Sequence, residues 1–201
     1  LSLDTRQLAE QRSPVRKGAG SMFWQKKKAG PEDISRLVGQ NFYPFFNPVF
    51  PALVKAAKAS GNQPVQNALT AVRALHVMSC VYSGLCIMET ADAGLRTADG
   101  DARIDALVWA GLKDFMKDAP DLHDGLKTLF DARVSEINAT LQICGGKQRS
   151  EGERLLTMYA FDRIFGREEF ASRADALQAE AEVLAKAILD LRIAFRDGLK
   201  R

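Results

Sequence analysis

Ala74-Leu75-His76-Val77-Met78-Ser79-Cys80-Val81-Tyr82-Ser83-Gly84-Leu85-Cys86-Ile87-Met88 is apolar on every side when wound as a helix. Val65, Leu69 and Val72 precede it at helical intervals, which predicts one helix from Pro64, behind Asn62-Gln63, to about Asp92. A helix that is apolar all round is buried all round, so the remaining elements must surround it. The run is 15 residues long and includes His76, short of the ~20 apolar residues that cross a bilayer. No transmembrane segment is therefore expected.

Outward from this helix the apolar spacing stays helical, and no alternating strand pattern occurs. Pro31 with Glu32 and Asp33 predicts the first turn of a helix to about Gln40. Asn47-Pro48 starts another, to about Ser60. A fourth is expected over about 102–117, with Ile104, Leu107, Val108, Leu112 and Phe115 on one side. Asp121 caps a fifth that carries Leu122, Leu126, Phe130, Val134, Ile137 and Leu141 and closes at Gly145-Gly146. Ser150 and Glu153 have capping-box spacing ahead of a sixth. The last, about 167–200, presents Phe170, Leu177, Leu184, Ile188, Leu191, Phe195 and Leu199 as one stripe. The fold expected is an all-α multi-helix bundle of about seven helices around a central buried helix.

Gly18-Ala19-Gly20-Ser21-Met22 divides the chain. Small flexible residues followed by methionine resemble a linker ahead of a start residue. Residues 1–17 are accordingly read as a tethered partner peptide or a natural tail, 18–21 as a linker, and 22–201 as a single helical domain. Residues 1–28 carry seven Lys/Arg against Asp4 and Glu10, a net +5, while the remainder has 21 basic and 23 acidic residues, a net −2. A mildly acidic body lacks the basic stripe that reads phosphates, which argues against nucleic acid as a partner. Cys80, Cys86 and Cys144 are odd in number and lack paired spacing, so neither disulfides nor a zinc site is indicated. Buried free thiols in a reducing, cytoplasmic, bacterial-type setting are the expectation.

Few residues offer chemistry. Thr97-Ala98-Asp99-Gly100-Asp101-Ala102-Arg103-Ile104-Asp105-Ala106-Leu107-Val108 resembles the calcium loop of EF-hand and dockerin proteins, with Asp99, Asp101 and Asp105 at three ligand positions and Ile104 at the apolar one. Thr97, Ala102 and Val108 depart from the pattern, and Val108 cannot supply the closing bidentate carboxylate. No metal and no cofactor is expected, and Asp101 is read as the cap of the next helix. His76 lies in the most apolar helix and His123 in a first turn, neither beside a local acid or nucleophile. Gly145-Gly146-Lys147 is a turn, too short for a phosphate loop. Glu151/Glu153 and Glu168/Glu169 sit at helix starts, where the dipole favours them. No catalytic residue is assigned.

Two features point to binding. Residues 42–51 hold Phe42, Tyr43, Phe45, Phe46 and Phe50 together with Pro44, Pro48 and Pro51, and the prolines are read as preventing all five rings from sharing one helix face. The surplus rings would line a peptide groove, with Leu1, Leu3 and Leu8 of residues 1–17 as anchors. Phe23 and Trp24 beside Lys26-Lys27-Lys28 suit weak contact with a membrane surface. The expectation is a non-enzymatic adaptor or chaperone-like module that binds a short segment of a partner protein. Export chaperones of secretion and flagellar assembly do this with small helical bundles, an analogy of architecture alone. The alternative is a helical enzyme or small-ligand-binding bundle with a site near His76 and Tyr82.

Overall fold

The computed structural model describes residues 29–59, 64–119, 123–145 and 149–200. These form eight helices: α1 (Pro31–Ala59), α2 (Pro64–Asp92), α3 (Ala98–Phe115), α4 (His123–Asp131), α5 (Val134–Cys144), α6 (Arg149–Phe165), α7 (Arg167–Arg173) and α8 (Gln178–Leu199). Among the described residues there is no strand, and the architecture is an all-α multi-helix bundle.

Helix α2 is the axis, touching α1, α3, α4, α5, α6 and α8, and residues 77–90 are all buried. Full burial of one large apolar side chain is worth about 1.5–3 kcal/mol. Tyr82, Met78, Leu75 and Leu85 of α2 are each almost wholly covered, so the core is organised around them. The stretch Ala68–Asp92 meets the length and composition of a membrane span, contrary to the expectation from the shorter run, but 78% of its most apolar window is buried by neighbouring helices. Packing against those helices accounts for its apolar character.

The prolines correct the expected boundaries. Residues 31–59 form one helix, not two, with Pro44, Pro48 and Pro51 inside it. All three are exposed, at spacings of four and three that keep them on one face. A proline leaves the carbonyl four residues back without its N–H donor, and on the solvent face water can take that place. Phe42, Phe45, Phe46, Val49 and Leu53 fall on the opposite, buried face.

Two further helices are split. The expected fifth helix jogs at Ala132-Arg133 into α4 and α5, with Arg133 at φ −79°, ψ 5°. The expected last helix turns between α7 and α8, where Leu177 enters the core. Helix α3 begins earlier than expected. Thr97, not Asp101, is its N-cap, its hydroxyl accepting from the Gly100 N–H at 3.0 Å. Ser150 falls inside α6, not at its N-cap, and Glu153 is buried against Arg192.

Where α2 ends, Gly94 adopts φ +70°. Its N–H donates to the Ala91 carbonyl (2.9 Å) and that of Leu95 to Thr90 (3.0 Å), the paired bonds of a Schellman termination. Glycine takes this left-handed conformation without a Cβ penalty. The chain then leaves α2 at Leu95 and is capped into α3 two residues later.

Candidate functional site

The rings expected to line a groove are mostly core. Phe42, Phe45 and Phe46 are buried: Phe42 stacks on Phe46 with centroids 4.3 Å apart, and all three surround Tyr82 at 5.2–5.9 Å. Phe50 is half-buried, edge-on to Phe115 at 5.4 Å. Only Tyr43 stays on the surface, 38% exposed, donating its hydroxyl to Asp114. That hydrogen bond, with smaller help from burial and from the carboxylate's charge, raises the Tyr43 phenol above its ordinary value. The helical spacing of 42, 45, 46 and 49 hides the rings, and the prolines do not interfere because they face outward. Leu1, Leu3, Leu8, Phe23, Trp24 and Lys26–Lys28 lie outside the described residues.

His76 and Tyr82 do not share a site. The Tyr82 hydroxyl donates to the Val38 carbonyl (2.5 Å) on the α1 side. His76 faces α4 and α5, near the Leu129 backbone, Glu136, Arg133 and Arg163. Burial lowers its pKa more than Glu136 and the Leu129 backbone raise it, and its Nε2 is buried without a partner. Along the same side, Ser83 donates to Asp105 (2.6 Å), Arg133 pairs with Asp105 (2.6 Å) and lies over the Phe130 ring at 3.3 Å, and Glu136 accepts from Tyr159 and Arg163. Burial pushes the Cys80 thiol up to about 12, so it supplies no thiolate nucleophile near neutral pH. Asp105 and Glu136 are already engaged. The seam is a neutralised polar contact joining α2 to α3, α4, α5 and α6.

A second buried cluster joins α2, α6 and α8. Arg192 is 6% exposed and pairs with Glu89 at 2.8 Å, while Glu153 lies 3.6 Å from its other nitrogen. Burial, reinforced by Glu89, raises the Glu153 carboxyl above the usual range, although Arg192 pulls it down. Among the described residues no group of three or more His, Cys, Asp or Glu side chains is placed to hold a metal ion. In particular, Asp99 and Asp101 are wound into the first turn of α3, and Arg96 pairs with Asp101 at 2.9 Å.

Among the described residues one of several open clefts, of about 260 Å³, lies where the starts of α1 and α3 meet. Ala29, Gly30, Pro31, Ile34, Leu95, Thr97, Asp99, Gly100 and Arg103 line it. Its apolar part comes from Ala29, Pro31, Ile34 and Leu95, the last delivered by the Schellman turn. Its lining carries one acid, Asp99, and one base, Arg103, while the other first-turn acids of the two helices, Glu32, Asp33 and Asp101, are not part of it. Asp33 is tied to the Gly30 N–H (2.9 Å) and to Arg36 (3.1 Å). Of these residues the sequence had singled out Pro31, Thr97, Asp99, Gly100 and Arg103, the last four for a different chemistry. Nothing local could signal that Ile34 and Leu95 line one cleft.

No protein-family model matches the chain, and no curated protein or solved structure is significantly similar to it. The class is set by the fold itself: an all-α bundle whose buried charges are paired between helices and which carries a mainly apolar cleft edged by Asp99 and Arg103.

Proposed function

We propose that the chain is a non-enzymatic helical adaptor that binds a short segment of a partner protein, and that this segment enters the cleft between the starts of α1 and α3. The supporting observation is the cleft's composition: Ala29, Pro31, Ile34 and Leu95 offer an apolar floor, with the Asp99 carboxylate at the edge. That combination suits one large apolar anchor whose polar flanks meet Asp99 and Arg103, one charge of each sign, the recognition chemistry of a peptide. The polar clusters on α2 support the same reading, because their charges are committed to one another across helix interfaces.

The test is titration of a labelled peptide with the sequence of residues 1–17 into the full-length chain whose own Leu1, Leu3 and Leu8 are replaced by serine. Binding should be weak, and Leu8→Ala in the peptide should loosen it by roughly tenfold or more. Leu95→Asp in the protein should do the same. No binding at millimolar peptide, or binding indifferent to Leu95→Asp, refutes the proposal.

A further inference from the structure

We propose that the groove between α6 and α8 binds a small organic cation, a primary ammonium on an aliphatic chain, with the ammonium held at Glu153 and the chain lying along Met158, Ala181 and Ala185. This site is separate from the cleft at the starts of α1 and α3, and it does not depend on the adaptor reading.

Glu153, Arg154, Thr157 and Met158 share one face of α6, and Gln178, Ala181, Glu182 and Ala185 share one face of α8, each set following the i, i+3/i+4 rule. Together they line a groove of about 470 Å³. Space remains along this helix seam because the side chains at 181 and 185 stop at Cβ, while Met158, in the same lining, stays 44% exposed. Thr157 turns its hydroxyl back to the Glu153 carbonyl (2.8 Å). The apolar part of the groove is therefore aliphatic, and its polar character is concentrated in charged groups.

Glu153 decides which ligand fits. Its side chain is 9% exposed, and its Oε1 is buried without a hydrogen-bond partner. Arg192 Nη1, 3.6 Å away, also lacks one, because that separation exceeds hydrogen-bond length. The guanidinium is committed to Glu89 at 2.8 Å instead. A buried carboxylate in this state calls for a donor. The charge balance has the same sign: the lining sets Glu153 and Glu182 against Arg154, and behind it Glu89 faces Arg192, three carboxylates for two guanidiniums. A proton can meet the surplus, the response seen in the Glu153 carboxyl, which burial raises above the usual range. A cation can meet it too. A bare metal ion would leave Met158, Ala181 and Ala185 unused, whereas an alkylammonium satisfies the carboxylate and covers the apolar wall.

The test is titration of n-hexylammonium into the full-length chain, followed by calorimetry and by amide NMR shifts, which should move in α6 and α8 and saturate at one site. n-Butylammonium should bind about tenfold more weakly, at roughly three- to fourfold per methylene. n-Hexanol and n-hexanoate keep the chain without the positive charge and should be weaker by about tenfold or more. Glu153→Gln, close in shape, should cost about tenfold. Ala185→Leu, at a half-exposed position, should block the groove to a similar extent while leaving the carboxylate in place. Acidification should weaken hexylammonium binding, because the proton competes at Glu153 amid Glu89 of α2, Cys144 of α5, Arg192 and Glu182 of α8 and Arg154 of α6. Hexylammonium that fails to bind at about 10 mM, that binds no better than hexanol, or that binds either folded variant as well as wild type overturns the proposal. Should Glu153→Gln fail to fold by circular dichroism, undiminished binding to Ala185→Leu overturns it alone.

Discussion

Replacing Arg192 by methionine tests what holds α8 to the central helix. The guanidinium is 6% exposed, 2.8 Å from Glu89 on α2 and 3.6 Å from Glu153 on α6. Methionine preserves much of the packing stem but leaves two buried carboxylates facing each other without a cation. Breaking a buried pair in this way costs about 3–5 kcal/mol. In a protein of this size each kcal/mol moves the melting temperature by about 2–4 °C, so Arg192→Met should lower it by ~6–20 °C near neutral pH. The sign of the pH dependence follows from Glu153, whose carboxyl is raised by burial and held down by Arg192. A carboxyl raised in the folded state contributes stability below its ordinary value, lost as pH rises through the folded one. Without Arg192 the folded value climbs further, so acidification should recover stability over a wider range reaching towards neutrality. The deficit of Arg192→Met against wild type should therefore shrink between about pH 7 and pH 5 in urea or thermal unfolding followed by circular dichroism. The triple change Glu89→Leu, Glu153→Leu, Arg192→Met removes the charges together and should be close to neutral or stabilising. A single variant within ~1 kcal/mol of wild type at neutral pH, or one that loses more in acid, would refute the reasoning.

Phe46→Ala should destabilise by about 3–5 kcal/mol in urea unfolding, because the ring is fully buried against Phe42 and Tyr82; Tyr43→Phe, which removes only a surface hydroxyl bond, should change stability by no more than ~1 kcal/mol. The buried thiols should resist an aromatic disulfide reagent at mildly alkaline pH, since burial pushes Cys80 up to about 12 and Cys144 to about 11. Their labelling should follow unfolding, and rapid stoichiometric reaction of the native protein would contradict the burial.

The axis of the fold was legible because apolarity on every side of a helix has one physical remedy, enclosure. The outer helices were legible from their stripes, but their boundaries were not. Reading Pro44, Pro48 and Pro51 as breakers gave weight to the lost N–H donors and too little to phase. Spacings of four and three put all three prolines on the exposed face, while Phe42, Phe45, Phe46 and Val49 held the buried face without interruption. Arg192 carries a signal of its own. It sits beside Leu191 and four residues after Ile188 within the buried stripe of α8, and a charge on a buried face demands a partner. Glu89, the acid within the buried stretch 77–90 of α2, is the matching half. The cleft was legible only in pieces, because its lining by both Ile34 and Leu95 is a property of how α1 and α3 pack.

These polar pairs matter for the cleft as well as for stability. A helix as uniformly apolar as α2 has weak rotational preference from burial alone, since every face it could present is greasy. Ser83 to Asp105 on α3 and Glu89 to Arg192 on α8 change that. Rotating or sliding α2 would strand a buried donor or charge, at a cost of about 1–3 kcal/mol for a neutral group and more for an ion. The two contacts lie on different sides of α2, six residues apart, so together they fix both its rotation and its height. Fixing α2 fixes the Schellman turn at its end, and with it the position of Leu95. The wall of the cleft is thus held through the bundle's buried charges, and Arg192→Met should alter the surroundings of Leu95 even where the helices remain folded.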